Sequence, residues 1–204
     1  MKLKTIFNIL FLALLTVLTV WTVFVEPRPA AGPDAIGVIM TRTSIRRYEP
    51  RPVEPGKVDT LLRAAMAAPS AGNKQPWAFV VLTDTALTDS IARHIGPARP
   101  LRGAPLAIVV CADTTRTFAG PAHDFWVQDA SAATENMLLA AHAMGLGAVW
   151  LGVYPMAERT RFVGRLLGLP ESVLPLGIVA VGYPAESPAP KDKWRPEAVH
   201  ANRW

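Results

Sequence analysis

Cysteine is nearly missing: the 204 residues hold one, Cys111, inside the apolar run PLAIVVCAD. A single thiol can neither close a disulfide within the chain nor build a cysteine metal cluster, and Cys111 reads as a small buried hydrophobe. Histidine is also sparse. His94, His123, His142 and His200 stand far apart and no H-E-x-x-H occurs, so no metal site is expected. Phosphate-cradling glycine loops are absent too. A dinucleotide fold needs G-x-G-x-x-G between a strand and a helix. The nearest string, GLGAVWLG (145–152), follows a helical pattern, opens a strand and has its third glycine misplaced. There is no G-x-x-x-x-G-K-[ST], and Ser70 lacks the G-x-S-x-G elbow of an α/β hydrolase. Excess charge is slight: 21 Lys plus Arg against 16 Asp plus Glu give +5. The cations are scattered rather than blocked, so no nucleic-acid partner is expected. No side chain stands out as nucleophile, acid or base. If the chain is an enzyme, its catalytic residues are unknown and a bound cofactor carries the hard step.

What is present begins at the N-terminus. Lys2 and Lys4 precede an uncharged stretch, residues 5–25, close to the roughly 20 residues that cross a bilayer. A secretory signal has a shorter apolar region, about 7–15 residues. Residues 1–26 are therefore expected to be an uncleaved transmembrane anchor or signal segment. The front lysines favour a cytoplasmic N-terminus, with the domain membrane-anchored on the non-cytoplasmic side. Arg28, Arg42, Arg46 and Arg47 beyond the span pull the other way. Residues 27–35, rich in proline and alanine, read as a linker, and 36–204 as one domain. Half of the chain is apolar, 50%, enough for a sizeable core.

Within that domain the patterns predict a short helix from Asp34 to about Met40 and a helix opened by Pro55. Leu61, Leu62, Ala65 and Met66 share one face of the latter, and Pro69 ends it. A strand follows at 77–83, then a helix capped by Asp84 and a buried strand at 105–111. The longest helical pattern, 121–146, is crowded with Ala and Ser and reads as the central helix. GAVWLG (147–152) is short and apolar. A helix opened by Pro155 stops near Gly168, and 175–184 is a last strand. Four strands and five helices without regular alternation make a mixed α/β chain, not a doubly wound sheet.

Three segments carry candidate chemistry. In TRTSIRRY (41–48), Arg42 and Arg46 share a face if the segment is helical. Their planar forks suit a phosphate or an anionic ring edge, or an exposed basic turn paired with acids. PSAGN (69–73) offers backbone groups, the Ser70 hydroxyl and the Asn73 amide to a flat heterocycle, or simply joins helix to strand. The glycine of WLG (150–152) permits close approach of a planar ligand, or makes a turn. In the tail, Lys191 and Lys193 flank Asp192, a solvated charge run when taken alone.

TRTSIRRY, AAPSAGNKQPWAFVV, AAHAMGLGAVWLGVYP and GIVAVGYPAE, in this order and spacing, resemble the nitroreductase family of flavoproteins over residues 36–204. The resemblance implies an α+β fold, a three-layer mixed sheet flanked by helices, in an intertwined homodimer. It implies FMN as cofactor and NADH or NADPH as electron donor. It also implies ping-pong reduction of small electron-poor acceptors such as nitroaromatics or quinones. Arg42, Thr43 and Ser44 match the family's flavin-phosphate contacts, and Arg46 its cation near the flavin N1–O2 edge. Pro69, Ser70 and Asn73 match the loop that reaches the flavin from the partner subunit. Leu151 and Gly152 match the backbone facing flavin N5 and O4, and Lys191 and Lys193 the C-terminal cations over the phosphate. Larger members carry a glutamate at the Leu151 position, so leucine leaves only backbone contacts there. PARPLRGAP has no assignable equivalent of their polar flavin contacts, and the membrane segment is a further departure. Phe125 and Trp126 are expected in the core or at the substrate mouth. Alternatives are reductive dehalogenation or flavin breakdown on the same scaffold, a non-catalytic flavin-binding membrane protein, or a serine hydrolase using Ser70.

Overall fold

Alternate residues of one strand explain the layering. The computed structural model describes residues 34–204 together with Phe11, and contacts divide the chain into Met1–Asp34 and Ala35–Trp204. In the second unit, strand β2 (Leu106–Asp113) is buried along almost its whole length. Side chains alternate across a strand, so its two faces enter two different cores. Leu106, Ile108, Val110 and Ala112 pack with helices α2 (Pro55–Met66) and α4 (Phe125–Ala143). Ala107, Val109 and Cys111 pack with α3 (Thr85–His94) and α5 (Ala157–Leu167). This is the three-layer α+β arrangement, one sheet between two helical layers. Burial pushes the Cys111 thiol up to about 12, in keeping with an inert packing residue.

The strands run in the order β1 (Trp77–Leu82), β2, β4 (Val173–Gly182), β3 (Gly147–Gly152). All three pairings are antiparallel, which corrects the expected mixed sheet. Each strand runs opposite to its immediate neighbours, so β2 and β3, which flank β4, point the same way and are joined across it through α4. Among the described residues the one parallel pairing is an isolated bridge, Ser44 to Ala148. The antiparallel ladder leaves β1 and β3 as edges.

Local signals place the elements. Asp84 caps α3 by accepting the Ala86 N–H at 2.8 Å, and Gly168 closes α5 in the left-handed conformation, φ 63°. On α2, Leu61 and Ala65 are buried but Met66 is exposed, so the apolar face is narrower than its periodicity suggests. The small residues of α4 let it lie against the sheet, with Ala130, Ala133, Met137 and Ala141 fully buried. Trp126 is in that core, edge-on to Tyr154 with centroids 4.8 Å apart, whereas Phe125 is exposed.

The expected membrane span, residues 5–25, and the linker to Pro33 lie outside the described residues. Among the described residues no helix is long and apolar enough to cross a membrane. The longest, α4 at 19 residues, is interrupted by Gln128, Asp129, Glu135 and Asn136. The expectations of a transmembrane helix, a membrane partner and a membrane-anchored location are corrected on this finding and play no part in the functional reading.

Candidate functional site

The basic segment near the N-terminus is extended rather than helical. Helix α1 (Ala35–Thr41) ends where the arginines begin. Its last turn is held by Thr41, whose hydroxyl donates to Gly37 O at 2.6 Å and lies 2.9 Å from His142 Nε2 on α4. The chain then runs along β3 through the Ser44–Ala148 bridge, with Ile45 N–H donating to Ala148 O at 3.0 Å. Ile45 is buried. The helical spacing expected for Arg42 and Arg46 is therefore not kept: Arg42 N–H still bonds Val38 O at the end of α1, the chain from Ser44 runs beside β3, and Arg42, Thr43, Ser44 and Arg46 all border one side of the segment.

That side forms one wall of a cavity of about 630 Å³, a size usual for small-molecule sites. Arg42, Thr43, Ser44 and Arg46 line it from the N-terminal segment. Lys191 and Lys193, with Asp192 between them, line it from the tail, beside apolar Pro188, Ala189 and Trp194. Ile39 and Met40 close the α1 side. Six of the sequence-derived candidates thus meet in one place, although about 150 residues separate the two groups along the chain.

The two groups are tied together at the mouth of the tail. Glu186 accepts the Arg46 N–H at 2.6 Å and the Arg47 N–H at 3.2 Å through Oε1, and the Arg47 Nε–H at 2.9 Å through Oε2. These donors, the Arg46 N–H foremost, hold the Glu186 carboxyl below its ordinary range. Ala185 N–H donates to Arg47 O and Glu49 N–H to Tyr183 O, continuing the clasp. Tyr48 sits under it, its hydroxyl donating to Ile45 O at 2.6 Å. Burial, reinforced by Glu186, raises the Tyr48 phenol well above its ordinary range.

Five candidates lie outside this cavity's lining. Pro69, Ser70 and Asn73 form a turn between α2 and β1, and the buried Asp129 of α4 accepts its Ala71 N–H at 2.8 Å. Ser70 Oγ accepts the Gln75 N–H at 2.9 Å, and Gln75 Nε2–H donates to Asn73 Oδ1 at 3.0 Å. Gly72, Asn73 and Gln75 all take positive φ, 55°, 53° and 49°. Leu151 is buried in the sheet's second core, so its side chain is not offered to a ligand. Gly152 is exposed at the end of edge strand β3, past the Ser44 bridge, and its carbonyl accepts from Arg159 Nη1 at 3.1 Å. The backbone is what this corner presents.

Glu135 also lines the cavity, and sequence reasoning missed it. Its Oε1 lies 3.4 Å from Arg42 Nε. A lone acid in the small-residue run AATENMLLAAH was the available signal, but only the tertiary contact gives it meaning. The cavity's donor set is four permanent or near-permanent cations and two hydroxyls. It fits a phosphomonoester, which takes charge-assisted hydrogen bonds from guanidinium, ammonium and hydroxyl groups. It offers no glycine-loop cradle for a longer phosphate chain.

The fold is that of the nitroreductase family, whose profile matches residues 39–100 and 96–183. The chain belongs to the nitroreductase family. A protein of Methanothermobacter thermautotrophicus, provisionally named NADH dehydrogenase/NAD(P)H nitroreductase, is 41% identical over 172 residues, covering 84% of this chain and 88% of its own. A crystal structure of the same provisional name from Parabacteroides distasonis is 43% identical with TM-score 0.79, covering 83% of this chain and 98% of its own. A structure from Desulfovibrio desulfuricans, provisionally named a nitroreductase and solved in complex with FMN, is 32% identical with TM-score 0.74, over 83% and 97% of the two chains.

Proposed function

We propose that this chain seats the phosphate of FMN among Arg42, Thr43, Ser44, Arg46, Lys191 and Lys193 and reduces small electron-poor acceptors such as nitroaromatics or quinones. Its family makes it an FMN-dependent NAD(P)H oxidoreductase, with FMN as cofactor and NADH or NADPH as donor. The observation that carries the site assignment is the convergence of cations from both ends of the domain on one cavity. When bound, FMN supplies hydride and electron transfer in two half-reactions, the donor oxidised in the first and the acceptor reduced in the second, a ping-pong scheme.

The protein's own part is binding, orientation and electrostatics. Arg42, Lys191 and Lys193 offset the phosphate's charge, and the Thr43 and Ser44 hydroxyls add directed donors. Arg46, a planar cationic fork, is assigned to the anionic ring edge. At Leu151–Gly152 only the backbone is available, since the Leu151 side chain is buried. Pro69, Ser70 and Asn73 do not line the cavity. We assign their turn to the site of a second subunit, which makes the working unit a homodimer.

The test is direct. Purified protein should show a visible flavin spectrum that anaerobic NADH or NADPH bleaches and a nitroaromatic or quinone restores. Steady-state plots at several donor concentrations should be parallel. Colourless protein that takes up no added FMN would end this reading. A bound flavin that no nicotinamide bleaches would leave a binding protein.

A further inference from the structure

We infer that Glu135 is a positioning residue: its carboxylate holds the Arg42 guanidinium in the cavity in the orientation that receives the cofactor's phosphate. This rests on the assignment of Arg42 to the phosphate. Arg42 follows the last turn of α1 and is the more enclosed partner, its side chain 17% exposed against 49% for Glu135. The contact uses Nε, the inner nitrogen of the guanidinium. A guanidinium carries one N–H there and four on its outer nitrogens. A carboxylate at the inner edge restricts a long, rotamer-rich side chain while the outer fork is the part suited to a bidentate phosphate.

The anchor on which Glu135 sits is itself fixed. Seven residues along α4, His142 meets Thr41 at the end of α1, 2.9 Å away. Of its immediate neighbours, Thr134 donates its hydroxyl to Ala130 O at 2.7 Å, and Asn136 Nδ2–H donates to Ala64 O of α2 at 3.1 Å. The helix therefore presents Glu135 from a rigid element, the condition for a supporting contact to orient another side chain.

Glu135 also brings negative charge beside a phosphate, which opposes binding. Solvent screens both the repulsion and the ion pair at a half-exposed Glu135, but Arg42 is its direct neighbour at 3.4 Å, and the repulsion is offset by the other cations around the cavity. Weaker binding on removing Glu135 is therefore the expected sign.

Flavin fluorescence quenching measures the affinity of the apoprotein for FMN and for riboflavin, which lacks the phosphate. Arg42→Ala should weaken FMN about tenfold and leave riboflavin unchanged. Glu135→Ala and Glu135→Gln should also weaken FMN several-fold and spare riboflavin. The double variant Arg42→Ala/Glu135→Ala should bind FMN no more weakly than Arg42→Ala alone. Unaltered or tighter FMN binding by both Glu135 variants, with Arg42→Ala impaired, overturns the positioning role and leaves the phosphate assignment intact. Loss of riboflavin as well as FMN marks a general structural effect and also overturns it. Unchanged FMN binding in Arg42→Ala removes the phosphate assignment and this inference together.

Discussion

Individual side chains in this protein are tightly constrained where the basic segment meets the sheet. A Cβ placed on Gly147 would lie 2.6 Å from Ile45 Cγ2 and 2.8 Å from Ile45 Cβ. Gly147 is thus glycine because the Ser44–Ala148 bridge draws two backbones together over Ile45. Gly147→Ala should cost about 1–3 kcal/mol through overpacking. It should also weaken FMN binding, because relief requires the Arg42–Arg46 segment to shift. Thermal unfolding with flavin titration checks both. Glu186 is the second such residue. Its carboxyl is held below the ordinary 4.5 by the Arg46 and Arg47 N–H groups and the Arg47 guanidinium. A depressed carboxyl contributes stability above its unfolded value, and that contribution is lost as pH falls through its folded value. Glu186→Gln should therefore lower the melting temperature at neutral pH, and its deficit should shrink as pH drops below about 4.5. A deficit independent of pH would show that the carboxylate charge is not what holds the clasp.

Elements, by contrast, are read well from local chemistry. The Asp84 cap, the Pro55 start, the Gly168 stop and the long alanine-rich helix all lie where their residues place them, within a few positions. Asp84→Ala should remove the α3 cap at a cost of about 1 kcal/mol, a fall in melting temperature of about 2–4 °C, with flavin affinity unchanged because α3 lies in the layer of α5, away from the cavity. What went wrong was the segment after Thr41. Arginines at i and i+4 suit a helix face as well as an extended chain suits residues at i, i+2 and i+4. The choice was made by β3, an edge strand offering Ala148 O to Ile45 N–H. The mixed sheet failed likewise, because strand direction is set by pairing and not by the residues within a strand.

For the whole molecule the question is how the cavity and the 69–73 turn cooperate. If the turn serves a second subunit, the chain should sediment as a dimer. Complementation then tests the geometry. Gly72→Val spoils the turn, since Gly72 has φ 55° and a Cβ there would lie 2.6 Å from the Phe118 ring. Arg42→Ala spoils the cavity. Each variant alone should bind FMN poorly. After unfolding and refolding an equal mixture, about a quarter of the sites should bind tightly, because half the dimers are mixed and each holds one intact site. No recovery would place cavity and turn in the same subunit.

Motif order was enough to establish the family, through four ordered segments that match its profile. The sequence also named the residues of the cavity, since Arg42, Thr43, Ser44, Arg46, Lys191 and Lys193 carry their character in their side chains. Folding alone could settle which of them meet, because the partners are distant along the chain and proximity is a property of the packed sheet. It was also folding that buried Leu151, straightened the arginine segment, set Glu135 against Arg42 and made Glu186 the clasp. Those contacts depend on the spacing of α4, β3 and the tail in three dimensions, a distance no local pattern encodes.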